Sequence, residues 1–154
     1  MDTPIPEVRQ QMLFRVPALV AYEAFTDPSV TTKFWFSHSD GPLEPEVTRT
    51  WEWRAYGCST CVDVLEAIPA KRLLIEWGEA SSRSKVEWTF EKRSNDTALV
   101  AVRNFDFKGT PEQILNEAID SMGGFSLVLA NAKALLEHNI CLNLILDRMP
   151  DLTT

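Results

Sequence analysis

The stretch from Thr110 to about His138 constrains the fold most, because it predicts one long amphipathic helix near the end of the chain. Thr110 stands at the N-cap, Pro111 takes the first helical position and Gln113 the third, which is the pattern of a capping box. Apolar side chains then recur at helical spacing and form one broad stripe: Leu115, Ala118, Ile119, Met122, Phe125, Leu129, Ala132, Leu135 and Leu136. A stripe of this width must be covered by another apolar surface.

The residues before this helix predict the surface that covers it, a curved antiparallel sheet of about six strands. A first strand is expected over Glu7 to Val16, and two short helices follow Pro17, the second capped by Asp27 and running through Phe34. From Pro45 the period changes to two, and further strands are expected at 60–68, 73–77, 85–92 and 97–107. Their connections are short, as antiparallel neighbours require. The expected architecture is α+β, with the long helix lying across the tryptophan-bearing face of the sheet.

Composition limits the function classes. With 154 residues, 45% of them hydrophobic and 24% charged, the chain has the balance of one globular domain over 1–154, with a core of about 8–138 and an extension from 139 to 154. A formal charge of -7 repels phosphate backbones and anionic lipid, so nucleic acid and membranes are not expected partners. The amino end shows no signal or transit peptide, and three cysteines fit a reducing compartment, so the cytoplasm is expected.

The order of these elements resembles the helix-grip fold of START-like (SRPBCC) proteins. Four sequence motifs sharpen the match to the Hsp90-ATPase-activator-homologue-like family: Ala24-Phe25-Thr26-Asp27-Pro28 followed by Phe34-Trp35-Phe36, then 69–77, Gly123-Gly124-Phe125, and 134–138. The segment 139–150 is similar to an extension on one bacterial branch. One departure is the approach to the second strand, usually glycine-rich, which here reads Leu43-Glu44-Pro45-Glu46-Val47. The resemblance implies a cavity between helix and sheet, and relatives that bind hydrophobic molecules, act as co-chaperones or act as cyclases.

The aromatic residues are the candidate walls of such a cavity. Five tryptophans and eight phenylalanines supply large side chains that hydrogen-bond little, and several of them alternate on the inferred inner face of the sheet. Two interpretations stay open: the rings fill the interior completely, or they leave a gap that takes a small hydrophobic molecule. On the second interpretation the expected ligand-binding residues, with Trp35 beside one mouth, are Phe36, Trp51, Trp53, Trp77, Trp88, Phe90, Arg103, Met122, Phe125 and Leu129.

Arg103 is the one charged member of that set. It shares its parity with Leu99 and Ala101, which predicts an inward side chain. A buried guanidinium needs a counter-charge, supplied either by Glu66 or Glu76 in an internal ion pair or by an anionic group of a ligand. Arg49 raises the same question near a strand end.

The sequence contains few residues that could support metal binding, redox chemistry or catalysis. Cys58 and Cys61 have the spacing of zinc and redox motifs, but no second pair follows and no helix begins at the first cysteine. His38-Ser39-Asp40 are chain neighbours, which excludes triad geometry among them, so a polar loop is expected there. No catalytic residue, metal site or cofactor is assigned.

Two further features leave alternatives open. Gly123 and Gly124 interrupt the long helix, either for close packing against the sheet or the short helices, or to leave room above the sheet or permit a bend. The apolar segment from Ile140 to Met149 either folds back over the domain, the favoured alternative, or forms a dimer contact, so the expected state is a monomer or a homodimer.

The function expected from these observations is binding of a small hydrophobic molecule between helix and sheet, without catalysis. The alternatives are a co-chaperone or stress-related protein-interaction module with a chaperone partner, and an enzyme of cyclase or hydrolase type. The enzyme would need Arg103, Glu66 or Glu76 at the floor of the pocket.

Overall fold

The computed structural model describes residues 5–152 and confirms the helix-grip architecture. Its strands are β1 Val8–Phe14, β2 His38–Ser39, β3 Thr48–Trp53, β4 Cys58–Ile68, β5 Arg72–Trp77, β6 Ser84–Ser94 and β7 Thr97–Phe105. They form one curved antiparallel sheet in the order β1-β7-β6-β5-β4-β3-β2. The sheet therefore has seven strands rather than about six. The additional strand, β2, pairs His38 with Glu52 and Ser39 with Trp51, and its two residues are too few to show a period.

Four α-helices accompany the sheet: α1 Ala18–Thr26, α2 Pro28–Thr31, α3 Pro111–His138 and α4 Leu144–Asp147. The caps that begin α2 and α3 are those expected from the sequence. The Asp27 carboxylate accepts a hydrogen bond from the Ser29 amide, and Thr110 and Gln113 form the complete capping box. None of the helices in the described part of the chain is both long and apolar enough to cross a membrane.

The concave face of the sheet carries the core. At the centre of β4 to β7 the inward positions are fully buried, as shown by Val62, Ile75, Trp88 and Val100, each at 0% exposure. An irregularity between Val64 and Glu66 shifts the register of β4. The shift leaves the Glu66 carboxylate on the convex face.

The long helix buries a narrower stripe than its sequence indicates. Phe125, Leu129 and Ala132 are 3% exposed or less, whereas Leu115, Ile119 and Met122 are 54%, 62% and 48% exposed. At 3.6 residues per turn the exposed three lie about 60° to 120° around the helix axis from Phe125. The sheet covers only the central stripe. The expected inward direction of Leu115, Ile119 and Met122 is therefore wrong.

Candidate ligand-binding cleft

An open cleft of about 520 Å³ lies between α3, the ends of β3 and β5, and the carboxyl-terminal tail. Its volume is in the range of small-molecule sites. Aromatic and aliphatic side chains form most of its wall, together with a few polar groups: Trp35, Trp53, Tyr56, Cys58, Trp77, Asp120, Ser121, Gly124, Phe125, Val128, Ile145, Arg148 and Met149. The cleft is an opening at the surface of the molecule rather than an enclosed cavity.

A second depression of about 370 Å³ adjoins the first. The two share walls formed by Trp53, Cys58, Trp77, Asp120 and Ser121. The second continues toward Glu79 and Glu117, so its far end is acidic. Burial raises the pKa of Glu117, and the nearby Asp120 carboxylate raises it further. The combined groove thus has an apolar half under the tail and an acidic half under the start of α3.

Trp35 organises the aromatic rings behind the cleft. Its ring centroid lies between 5.1 and 6.3 Å from those of six neighbours: Phe36, Trp51, Trp53, Trp77, Trp88 and Phe125. Most of these pairs are edge-to-face, a favourable aromatic arrangement. All five tryptophans of the chain belong to this cluster. The Trp35 side chain therefore lies within the cluster and lines the cleft, whereas the sequence placed it only beside a mouth.

Asn131 on α3 fixes the loop that carries Trp35. This side chain is 3% exposed, and its amide donates to the Phe34 carbonyl at 2.9 Å. Its carbonyl oxygen accepts from the Leu144 amide at 3.4 Å. One buried polar residue therefore ties the aromatic loop and the tail to the long helix. The sequence offered no sign of it, because a lone Asn on an apolar stripe resembles a solvent-facing position.

The expected ligand-binding residues divide into a wall and a layer behind it. Trp53, Trp77 and Phe125 line the cleft, the first two half-buried and Phe125 only 3% exposed. The residues of the layer behind are 3% exposed or less and fill the core: Phe36, Trp51, Trp88, Phe90 and Leu129. Phe36 stacks on Trp51 at 4.4 Å between centroids and lines a separate small cavity of about 130 Å³. The rings of the layer behind fill the core, and those of the wall border an open cleft.

Met122 does not join this site. Its side chain is 48% exposed, on the flank of α3 that the sheet leaves uncovered, and it is not among the lining residues. Its backbone carbonyl accepts a hydrogen bond from Gln10 on β1 at 3.2 Å.

Arg103 faces away from the cleft, so its expected inward direction is wrong. The inner positions of β7 are Ala98, Val100, Val102 and Asn104, each 2% exposed or less. On the convex face the Arg103 guanidinium pairs with Glu87 at 3.3 Å and Glu7 at 3.2 Å, and lies over the Phe105 ring. Side chains on both faces of β7 are mostly apolar. The alternation therefore assigns residues to two faces but does not show which face is buried.

Glu66 and Glu76, the other charged groups proposed for a pocket floor, are also on the convex face. Glu66 pairs with Arg72, and Glu76 pairs with Arg83 at 3.0 Å. Arg49 donates from Nε to the Pro42 carbonyl at 2.7 Å. None of these side chains lines the cleft, so the catalytic floor that an enzyme would need is not formed by Arg103, Glu66 or Glu76.

Asn104 supplies a polar anchor where the two depressions meet α3. Its amide nitrogen donates to Ser84 Oγ at 3.0 Å and to the Lys85 carbonyl at 2.8 Å, and its oxygen accepts from Ser121 Oγ at 2.7 Å. Trp77 Nε1 also donates to Ser84 Oγ, at 3.2 Å. These bonds lock the cleft-lining Trp77 and Ser121 in place.

The glycine pair of α3 lies under the tail. A Cβ added at Gly123 would come within 3.3 Å of Arg148 Nη2, and one at Gly124 within 3.8 Å of Arg148 Nη1. The tail is held by the Tyr56 hydroxyl, which donates to the Ile145 carbonyl, and by Ile145 itself, which packs on the core. Close packing of the glycines against the sheet or the short helices is therefore not their role. They leave room for Arg148, and Gly124 for the cleft.

Cys58 and Cys61 point to opposite faces of β4. Cys58 lines the cleft, while Cys61 lies on the convex side in a depression that Arg83 also lines. Residues three apart in a strand alternate faces, so this pair does not chelate one ion or close a disulfide. Within residues 5–152, no group of three or more His, Cys, Asp and Glu residues has the arrangement of a metal site.

Comparison with known proteins places this geometry in a family. The family model described as "Activator of Hsp90 ATPase homolog 1-like protein" matches residues 15–137, which include α1, the sheet from β2 to β7 and nearly all of α3. The chain belongs to this Activator of Hsp90 ATPase homologue 1-like family. The cleft is thus built from family elements on three sides, and the tail that closes its fourth side, from Asn139 on, follows the matched region. The search of the curated proteins finds no match.

Solved structures share the fold of this Activator of Hsp90 ATPase homologue 1-like protein. A Staphylococcus saprophyticus protein is 23% identical, with a TM-score of 0.74 over 89% of this chain and 96% of its own. An HSP90 activator from Plasmodium falciparum is 14% identical, with a TM-score of 0.69 over 85% and 96%. The di-domain ARO/CYC BexL of the BE-7585A biosynthetic pathway is 17% identical, with a TM-score of 0.70 over 86% of this chain and 46% of its own. At these identities the likeness establishes the shared fold.

Proposed function

We propose that this family member binds a small hydrophobic molecule in the cleft between α3, the sheet and the tail. The observation that carries the proposal is an open apolar wall formed by Trp53, Trp77 and Phe125. The half-buried rings of Trp53 and Trp77, left in contact with water at a concave surface, gain most from a bound apolar body, because both surfaces then lose their hydration together. The layer behind, with Trp51 and Trp88 fully buried, keeps this wall from collapsing inward.

A neutral fluorescent probe tests the proposal. N-phenylnaphthylamine is planar and uncharged, and its emission rises in an apolar site. The wild-type protein is expected to bind it saturably with a dissociation constant on the order of micromolar, corresponding to about 8 kcal/mol. Binding should also quench tryptophan emission, because the cluster around Trp35 lies directly behind the wall.

A variant with a blocked cleft distinguishes probe binding in the cleft from probe binding to other apolar surfaces. Gly124→Leu extends a side chain from the wall of the cleft and retains a strong helix former. The matched control is Ser126→Leu, on the exposed face of the same helix. We expect the blocking variant to weaken probe binding about tenfold or more and the control to leave it unchanged. Absence of saturable binding to the wild type, or equal binding by both variants, would overturn the proposal.

A protein-interaction function is the second candidate. The family description and the Plasmodium falciparum neighbour support it, and so does the exposed stripe of Leu115, Ile119 and Met122 on α3. A purified Hsp90-type chaperone should then be retained by the immobilised protein, and its ATPase rate should rise. Charged substitution of Ile119 should abolish both effects and leave probe binding intact. The exposed free thiols Cys58, Cys61 and Cys141 support a cytoplasmic location for either function.

A further inference from the structure

We propose that Arg148 forms an anion subsite at the rim of the cleft, so that the ligand is an apolar molecule with one terminal carboxylate or sulfonate-like group. This inference rests on the proposed function, because the subsite needs an apolar body bound against Trp53, Trp77 and Phe125. It assigns to the tail the orienting cation that the sequence placed at Arg103.

The Arg148 guanidinium has no counter-charge among the residues that the structure describes. Arg72, Arg83 and Arg103 on the convex face are each neutralised by carboxylates within 4.0 Å. Within residues 5–152, the Arg148 side chain makes no ion pair or hydrogen bond. A guanidinium presents five donors in a fixed planar fork that matches a carboxylate or sulfonate. These N–H groups are therefore free to donate hydrogen bonds to an anion.

The two glycines of α3 lie beside this guanidinium at the cleft. Arg148 lines the cleft and lies against α3, where a Cβ at Gly123 would come within 3.3 Å of Nη2, a tight contact, and one at Gly124 would make an ordinary contact of 3.8 Å with Nη1. Two glycines inside a helix cost about 1 kcal/mol each relative to alanine. In exchange for this loss of helix stability, the glycines let the Arg148 guanidinium approach the apolar wall.

The charge distribution along the groove sets the orientation of the ligand. Asp120 lines both depressions, and Glu79 and Glu117 line the far one. An anionic end would be repelled from the acidic half and attracted to the half that holds Arg148. The apolar body then lies along Trp53 and Trp77, between the two charged ends.

A matched pair of probes, one anionic and one neutral, measures the contribution of the anionic group to binding. Anilinonaphthalenesulfonate carries a sulfonate on the same aromatic skeleton as the neutral N-phenylnaphthylamine. We expect Arg148→Met, which retains an apolar stem, to weaken sulfonate binding about three- to tenfold and to leave the neutral probe unchanged. Arg148→Lys should restore part of the sulfonate affinity. Asp120→Asn should strengthen it, and high salt should weaken only the sulfonate.

The control and the possible outcomes keep this subsite separable from the proposed function. Arg93→Met removes a cation that pairs with Glu91 away from the cleft, and it should change neither probe. Saturable binding of the neutral probe with equal sulfonate affinity in wild type and Arg148→Met overturns the subsite and leaves the proposed function standing. Parallel losses for both probes also overturn it, since they indicate a structural role of Arg148. Failure of the wild type to bind either probe overturns both proposals.

Discussion

Replacing Gly124 by alanine tests whether this position of α3 has room for a Cβ, as the structure indicates. Gly124 lies within a continuous helix, so its backbone is one that any residue adopts. A Cβ built there meets only Arg148 Nη1, at 3.8 Å, which is ordinary van der Waals contact. Nothing in its surroundings therefore penalises the added methyl group.

The expected stabilisation follows from helix propensity alone. Alanine is favoured over glycine in a helix interior by about 0.8–1.0 kcal/mol, mainly through backbone entropy of the unfolded chain. Gly124→Ala should raise the free energy of unfolding by about 1 kcal/mol, which for a domain of this size corresponds to roughly 2–4 °C in Tm. Gly123→Ala should gain less, because its Cβ would lie 3.3 Å from Arg148 Nη2 and the side chain must shift.

Urea denaturation followed by circular dichroism measures the change, and Gly57 provides the matched control. Gly57 has no neighbour within 4 Å of an added Cβ, but its φ of 64° lies in the left-handed region. Gly57→Ala should therefore destabilise by about 1 kcal/mol through backbone strain alone. Opposite signs for the two variants are expected. A Gly124→Ala variant that is less stable than the wild type would refute the reasoning, since it would show a close contact that the structure does not contain.

Three further substitutions have expected outcomes. Thr110→Ala breaks the capping box of α3 and should lower the free energy of unfolding by about 1 kcal/mol in urea denaturation; an unchanged value would mean that the cap is dispensable. Arg103→Met should leave the affinity for the neutral probe unchanged, because the Arg103 side chain is on the convex face. A weaker affinity would show that Arg103 contributes to the ligand site. The raised pKa of Glu117 means that its charged form is disfavoured in the fold, so stability is lost as pH rises through that pKa. Glu117→Gln should therefore be more stable than wild type at neutral pH by about 0.5 kcal/mol or less after solvent screening, with the difference vanishing below about pH 4; a less stable variant at neutral pH would contradict this.

The elements that the sequence predicted correctly depend on local chemistry. The capping box at Thr110 and the Asp27 cap are decided by neighbouring residues, and the structure contains both. The strands follow from a period of two and short turns. β2 was missed because its two residues pair only through the edge of β3.

The site was harder to predict because it depends on which face of each element is covered. β7 is apolar on both parities, so Arg103 was placed inward where Asn104 lies. Met122 follows the helical spacing of the stripe, yet the sheet is too narrow to cover it.

Arg148 and Trp35 lie in segments without a period, and only tertiary contacts bring them to the cleft. Arg148 meets α3 through the folded-back tail, and Trp35 is positioned through its loop by Asn131. The glycines were recognised as unusual, but their partner is the tail rather than the sheet.

Thiol protection tests the cleft as a binding site most directly, because two cysteines three residues apart report on opposite faces. A variant that retains only Cys58 and one that retains only Cys61 are reacted with a chromogenic disulfide reagent, with and without saturating N-phenylnaphthylamine. Both thiols are exposed, and only Cys58 lines the cleft. The account predicts that the probe slows modification of Cys58 and leaves Cys61 unchanged. Equal rates for Cys58 with and without bound probe would contradict it.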